Sequence, residues 1–386
     1  SQHTYIHTYI IQRKHPMISD IAHSNFKETY DNNESYITYD LLEQVQPYFD
    51  IDLPNAAPAE KIQWFKNIFW LTTNLDLGLA HSIHHNQAGR NYIHVLEDKI
   101  LKDKILNSYW PSTIGSDIDL KGSSTVSIRK VDDGYILNGE ANWLTNVEMA
   151  DYSTIPAMDA DGKKFKVIVD LTTIPHKIKA DWPLITGMRM ARPGTIVLEN
   201  ALIPENHCLG GYGYPNKFHY VEALNATTFM TSMTANIVAL WNEVYSFAKS
   251  INRERDLSMI DAEIDVFTMI NRWMARMNQY NLDEHTEASE EYWIQHSHLY
   301  LFGKKTLHKI LNLSRVMGIQ PMLLRDGVES RVFRNAITFS SHMLKFQDYT
   351  NLWGDESHTE IDMDDYIKHH FNKLIHKTKI PTDLSA

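Results

Sequence analysis

Apolar positions change their period twice along the chain. From Tyr39 the spacing is helical: Leu41, Leu42, Val45 and Phe49 recur at one-turn intervals, with Asp40 placed as a cap. Pro54 and Pro58 break this run. A second helix is predicted after them, with Ile62, Phe65, Ile68, Phe69 and Leu71 on its apolar side. Leu75 to Tyr92 continues the helical pattern and brings in His81, His84 and His85. At three- and four-residue separations these histidines share one helix side, the ordinary arrangement of surface or satisfied core histidines. Residues 1–25 are mixed and define no element.

Between Asn107 and Gly210 the pattern shortens to strand-like pieces at 124–130, 135–138, 165–170 and 195–198, separated by Gly, Asp, Asn and Pro. Asp132-Asp133-Gly134 predicts a tight hairpin turn, Asn138-Gly139 a second, and Asp159-Ala160-Asp161-Gly162 another. After the second turn comes an extended piece bearing Trp143, Thr145 and Asn146. These signals predict a hairpin in a mostly antiparallel sheet or barrel, in which Trp143, on the residues alone, reads as a core aromatic. Beyond Gly213 the long period returns, with helices over 221–250, 259–280, 290–317 and 326–346 and a short tail helix over 366–377. Long antiparallel helices with apolar faces make a bundle. The expected architecture is α+β: an N-terminal helical domain over 1–106, a middle β-barrel over 107–213, and a C-terminal four-helix bundle over 214–386.

Composition narrows the chemistry. A chain of 386 residues has room for two or three domains or one composite core. A formal charge of -11 argues against nucleic acid or an anionic membrane surface as partner. No apolar run of about 18 residues, and no apolar segment at the amino terminus, point to a membrane span or leader, so cytoplasmic residence is expected. Cys208 is the single cysteine, which excludes an internal disulfide framework and a thiolate metal cluster. The 20 histidines show no H-E-x-x-H or carboxylate-flanked pair, so no metal centre is expected.

The run Ile128 to Asn146, IRKVDDGYILNGEANWLTN, resembles the D-G-Y/W-x-L-N-G-x-K-x-[FW]-I-T-N segment of the acyl-CoA dehydrogenase superfamily of flavoproteins. Ser112-Thr-Ile-Gly-Ser-Asp117 resembles T-E-P-x-x-G-S-D without its Glu-Pro pair. Gly187-Met-Arg189, Thr195 to Asn200, Ile203-Pro-Glu-Asn206 and Leu209-Gly210 follow the family's next conserved run in order. The resemblance implies a flavin, FMN or FAD, beside this segment. Trp143 would pack on the ring and the Thr145 hydroxyl would reach its N5 or O4 edge, with Asn146, Ser116 and Arg334 completing the cofactor set.

Asp326 to Ala336, DGVESRVFRNA, resembles P-x-E-R-x-Y-R-D-A: Arg331 and Arg334 match its arginines, and Asn335 replaces the aspartate. Upstream, only Gly318 remains of the paired glycines that receive the adenine nucleotide half of FAD. A reduced flavin delivered by a partner reductase fits that loss. The glutamate that removes a substrate α proton in dehydrogenases falls at Met343, and its alternative place on the first bundle helix falls at about Asn225. Glu222, one turn earlier, is the remaining candidate base. His342 aligns with the last histidine of R-N-x-R-T-H-T-L-H in the dibenzothiophene monooxygenase type. Monooxygenases of this superfamily also take an active-site histidine from the helix where His81 and His85 stand. The resemblance thus implies a flavin-dependent monooxygenase of a small organic molecule, and the broad apolar faces of the bundle helices lead us to expect a homotetramer or homodimer. The alternatives are an acyl-CoA dehydrogenase or flavin oxidase with a relocated base, and a non-catalytic protein that keeps the scaffold.

Overall fold

Helix α1, Pro58–Asn74, begins where proline's fixed φ suits a first helical position. The Glu60 carboxylate accepts the Ala57 N–H at 2.9 Å, occupying an amide that the helix leaves unbonded. Its apolar side buries Ile62, Phe65, Ile68 and Leu71 against Leu42, Val45 and Phe49. The computed structural model describes residues 42, 44–93, 96–106, 112–114, 126–181, 187–211, 219–282, 290–318 and 331–342. Ser116, Met343 and the tail helix expected over 366–377 lie outside them, as do the side chains of Glu222 and His342.

Helix α2, Leu77–Ile93, is buried almost all round, polar residues included. It packs against the preceding helix α1, the strands Ser112–Ile114 and Tyr152–Met158, and the first and last helices of the bundle, and α3, Lys99–Leu106, follows it. The strands are β1 Ser112–Ile114, β2 Ser127–Val131, β3 Gly134–Leu144, β4 Tyr152–Met158, β5 Lys164–Asp170, β6 Lys177–Ala180, β7 Gly194–Ile203 and β8 Cys208–Gly211. They form one sheet in the order β6-β7-β3-β2-β4-β5-β8, with β1 beside β4.

That order corrects the expected barrel: among the described residues β6 and β8 are the two ends and do not pair, so the sheet is open. Both ends are short. β6 reads Lys-Ile-Lys-Ala and faces solvent, and β8 ends in glycines with Gly210 at φ 100°, features that blunt an edge rather than extend it. The β2–β3 hairpin turns at Asp132-Asp133, and Gly134 is required there. Its φ is 140°, and a Cβ would lie 2.1 Å from the Ile203 carbonyl oxygen.

Asn138-Gly139, expected as a second turn, is a bulge inside a continuous β3. The register against β7 shifts between Leu137 and Gly139, and the Asn138 side chain accepts the Asn200 N–H at 2.7 Å. β4, which has no alternation, is buried on both faces and holds Pro156 between the stretches paired to β1 and β2.

The bundle comprises α4 His219–Ser250, α5 Leu257–Leu282, α6 Glu290–Val316 and α7 Arg331–His342. Met233, Ile237, Leu240, Val266, Met269, Leu307, Ile310, Phe333 and Phe339 form its core.

Sheet, α2 and bundle meet at buried Asp76. One carboxylate oxygen accepts the Leu79 N–H at 2.9 Å and caps α2; the other accepts the Asn335 amide at 2.8 Å. Asn335 Oδ1 in turn accepts the Met188 N–H at 2.6 Å, and the Gly187 N–H donates to Thr338 Oγ1 at 2.9 Å. At Gly187 a Cβ would lie 2.2 Å from the Arg334 carbonyl oxygen, so loop and helix backbones are in contact. Asn335 both donates and accepts here, which an ionised aspartate cannot do. Asn335→Asp is expected to cost about 2 kcal/mol or more, with a larger loss at neutral than at mildly acidic pH. Denaturant midpoints across pH measure this; an unchanged midpoint would contradict the joint's role.

Candidate active site

The site is built from the end of β3, the middle of α2 and facing turns of α4 and α7. At the β3 end the pairing with β7 shifts again between Ala141 and Leu144, and Trp143 sits at φ 59°. A bulky residue at positive φ is strained by about 1–3 kcal/mol and is held there only by its surroundings. The consequence is that Trp143 is 43% exposed and turned out of the core, while Leu144 beside it is fully buried. Trp143 is therefore not the core aromatic that strand alternation suggested.

Thr145 and Asn146 are buried. Asn146, at φ 61°, donates its N–H to the Ala191 carbonyl at 2.9 Å. Its side-chain amide donates to the Ser82 carbonyl at 3.0 Å, and its Oδ1 accepts the Ser82 hydroxyl. Asn146 thus clamps the strand end to α2, one residue from His81.

His81, His84 and His85 come together on α2. The ring centroids of His81 and His85 are 4.1 Å apart, those of His81 and His84 5.6 Å, and those of His84 and His85 4.9 Å. His81 and His84 are buried and His85 is half-buried. Burial depresses the His84 pKa to about 3, only partly opposed by a hydrogen bond to the Asn225 backbone on α4. The Asn225 side chain accepts from Asn91 at 2.9 Å, and Asn91 accepts from Gln87 at 2.8 Å, a buried polar line between α2 and α4. On the α7 side, Phe339 meets His81 edge-on at 6.4 Å and stacks on Phe229 at 5.2 Å.

Several sequence-derived candidates are therefore neighbours and others are not placed beside them. His81, His85 and the strand end carrying Trp143, Thr145 and Asn146 converge through Ser82. Glu222 lies on α4 one turn before Asn225, and His342 is the last residue of α7, one turn after Phe339. Arg334 is half-buried on α7, where its carbonyl backs the Gly187 loop. Sequence reasoning named no role for Ser82, and it noted His84 and Asn225 by position without choosing them as site residues. The helical spacing placed His84 beside its neighbours, but only the packing of α2 on α4 brings its ring to the Asn225 backbone.

His84 stays neutral when folded although an unfolded histidine titrates near 6.5, so its contribution to stability is complete above that pH and is lost as pH falls toward 3. Buried His296, also depressed to about 3, acts in the same direction. Unfolding measured between pH 7 and pH 4 is expected to show stability falling with pH, less steeply in His84→Gln. Equal slopes in the two proteins would contradict the assignment.

No known family profile matches the chain. A benzylmalonyl-CoA dehydrogenase of Aromatoleum aromaticum (strain DSM 19018 / LMG 30748 / EbN1) is 25% identical over 195 residues, 44% of this chain and 48% of that enzyme. The chain thus matches about half the length of that relative. Among solved structures, FMN-bound TdsC from Paenibacillus sp. A11-2 superposes with a TM-score of 0.66 at 13% identity, over 85% of this chain and 94% of that one. A glutaryl-CoA dehydrogenase from Mycobacterium smegmatis in complex with FADH2 gives 0.63 at 12%, over 89% and 92%. The HsaA monooxygenase from M. tuberculosis gives 0.61 at 13%, over 86% and 93%. The chain has the acyl-CoA dehydrogenase-type fold that these dehydrogenase and monooxygenase structures share, of which TdsC holds FMN and the glutaryl-CoA dehydrogenase holds FADH2. No helix among the described residues is long and apolar enough to cross a membrane.

Proposed function

We propose that the protein is a flavin-dependent monooxygenase that uses reduced flavin and oxygen on a small organic substrate. The observation that carries this reading is the chemistry at the two places where an α-proton base is expected. Met343 occupies one and cannot accept a proton; Asn225 occupies the other, with its amide engaged by Asn91. Histidines stand next to both positions instead: His342 precedes Met343 in the sequence, and His84 of the α2 cluster is hydrogen-bonded to the Asn225 backbone.

The residues present fit a flavin. Trp143 offers an exposed flat face at a strained strand end, with buried Thr145 two residues on and Asn146 holding that end on α2. Arg334 and Ser116 complete the proposed set. The cofactor, FMN or FAD, supplies the redox chemistry when bound. The protein's part is to orient it, exclude water and position proton donors, for which His342, His81 and His85 are the candidates. With only Gly318 left of the paired glycines, a reductase partner delivering reduced flavin accompanies this proposal.

A second reading is an acyl-CoA dehydrogenase that uses Glu222. It draws on the name of the curated relative and on the place of Glu222, one turn before Asn225. Stopped-flow mixing of the reduced-flavin complex with oxygenated buffer separates the two. The monooxygenase reading expects a transient absorbance distinct from oxidised and reduced flavin, shortened in His342→Ala. Direct reoxidation without a transient, together with anaerobic flavin bleaching by an acyl-CoA that is lost in Glu222→Gln, would overturn it.

The proposed assembly is a homotetramer or homodimer. Helix α5 turns Leu257 (85% exposed), Ile260, Ile264 (58%) and Met274 to solvent along one stripe, an apolar face suited to a second copy. Sedimentation at micromolar concentration is expected to show an oligomer that Ile264→Glu weakens; a monomeric unmodified protein would contradict it.

A further inference from the structure

We propose that His81, His84 and His85 form a binding site for one divalent transition-metal ion of the zinc or copper class. Each of these residues offers one ring nitrogen, and the three atoms all lie within 4.8 Å of one another. Nitrogen ligands about 2.0–2.1 Å from a tetrahedral ion sit about 3.3 Å apart, so closing the set needs only side-chain adjustment. His81 and His85, four residues apart, stand on one helix face as paired ligands do in helical zinc sites.

His84 is already arranged as a ligand. Its ring is hydrogen-bonded to the Asn225 backbone through one side, while its Nδ1 is buried without a partner. A backbone carbonyl holding one ring nitrogen fixes the tautomer and leaves the lone pair of the other for a metal. A buried lone pair with no partner costs stability that an ion would recover. As mere packing residues, the three rings would leave the His84 Nδ1 unexplained.

Three imidazoles favour zinc, copper or nickel over magnesium or calcium, which prefer oxygen. They also leave a fourth position open. Three neutral ligands do not balance a divalent charge in a buried setting, so the fourth ligand would be an anion, either hydroxide or an oxyanion of a small molecule. This site goes beyond the flavin reading and bears on part of it: in a metal-loaded chain each of His81 and His85 would have one ring nitrogen on the ion and only the other left to donate.

Chelator-treated full-length protein without a histidine tag, titrated calorimetrically with Zn2+ and spectroscopically with Co2+, tests the proposal without any flavin. The expected result is saturable binding of one ion per chain, visible bands of tetrahedral nitrogen-ligated Co2+, and affinity weakened about tenfold or more in His84→Gln and in His85→Gln. No saturable binding would overturn the site, as would undiminished affinity in folded variants, which places the ion on other histidines. Should the buried His84→Gln variant not fold, half-buried His85→Gln decides, and electron paramagnetic resonance of Cu2+ on the unmodified protein counts the ligands. Three nitrogens support the site; fewer overturn it. Either failure leaves the flavin reading untouched.

Discussion

The fold depends on one buried carboxylate. Asp76 caps α2 with one oxygen and with the other takes the Asn335 amide from α7, while Asn335 holds the loop at Met188 that leads into β7. Arg331 lies 3.5 Å from the same carboxylate and also donates to the Leu75 carbonyl at 3.2 Å. Three parts of the chain, far apart in sequence, thereby take fixed positions around a single group. Removing one partner from such a buried set leaves another polar atom unpaired, so the joint is all-or-none. The site inherits its geometry from this joint, because α2 brings the histidines and α7 brings Phe339.

The second constraint is backbone strain at the sheet's working end. Trp143 and Asn146 both adopt positive φ, and Met188 and Arg192 in the facing loop do so as well. Hydrogen bonds over-determine the arrangement: Asn146 N–H to Ala191, Val147 N–H to Arg192, and the Asn146 side chain to Ser82. Strain held in this way presents an aromatic face outward from a sheet whose other side is core.

Much of this was readable from residue pattern. The helices followed from apolar spacing, and the turns at Asp132–Gly134 and Asp159–Gly162 from residues that tolerate tight or positive-φ backbone. The same logic failed at Asn138-Gly139, because Asn200 across the ladder, itself at φ 50°, turns the dipeptide into a bulge. β4 was missed because a strand buried on both faces has no alternation to detect. Whether the sheet closes was not encoded locally at all, since closure depends on what β6 and β8 meet. Likewise, the spacing of His81, His84 and His85 was plain, but burial of His84 against Asn225 arises only when α4 packs on α2.

The central claim is that a flavin docks on the strand end bearing Trp143. Its most direct test is titration with oxidised and reduced FMN and FAD, followed by tryptophan fluorescence in the unmodified protein and in Trp143→Phe. The account predicts saturable quenching, stronger with reduced flavin, with most of the change lost in the variant. Absence of binding by any of the four forms, or quenching that Trp143→Phe leaves unaltered, would contradict it.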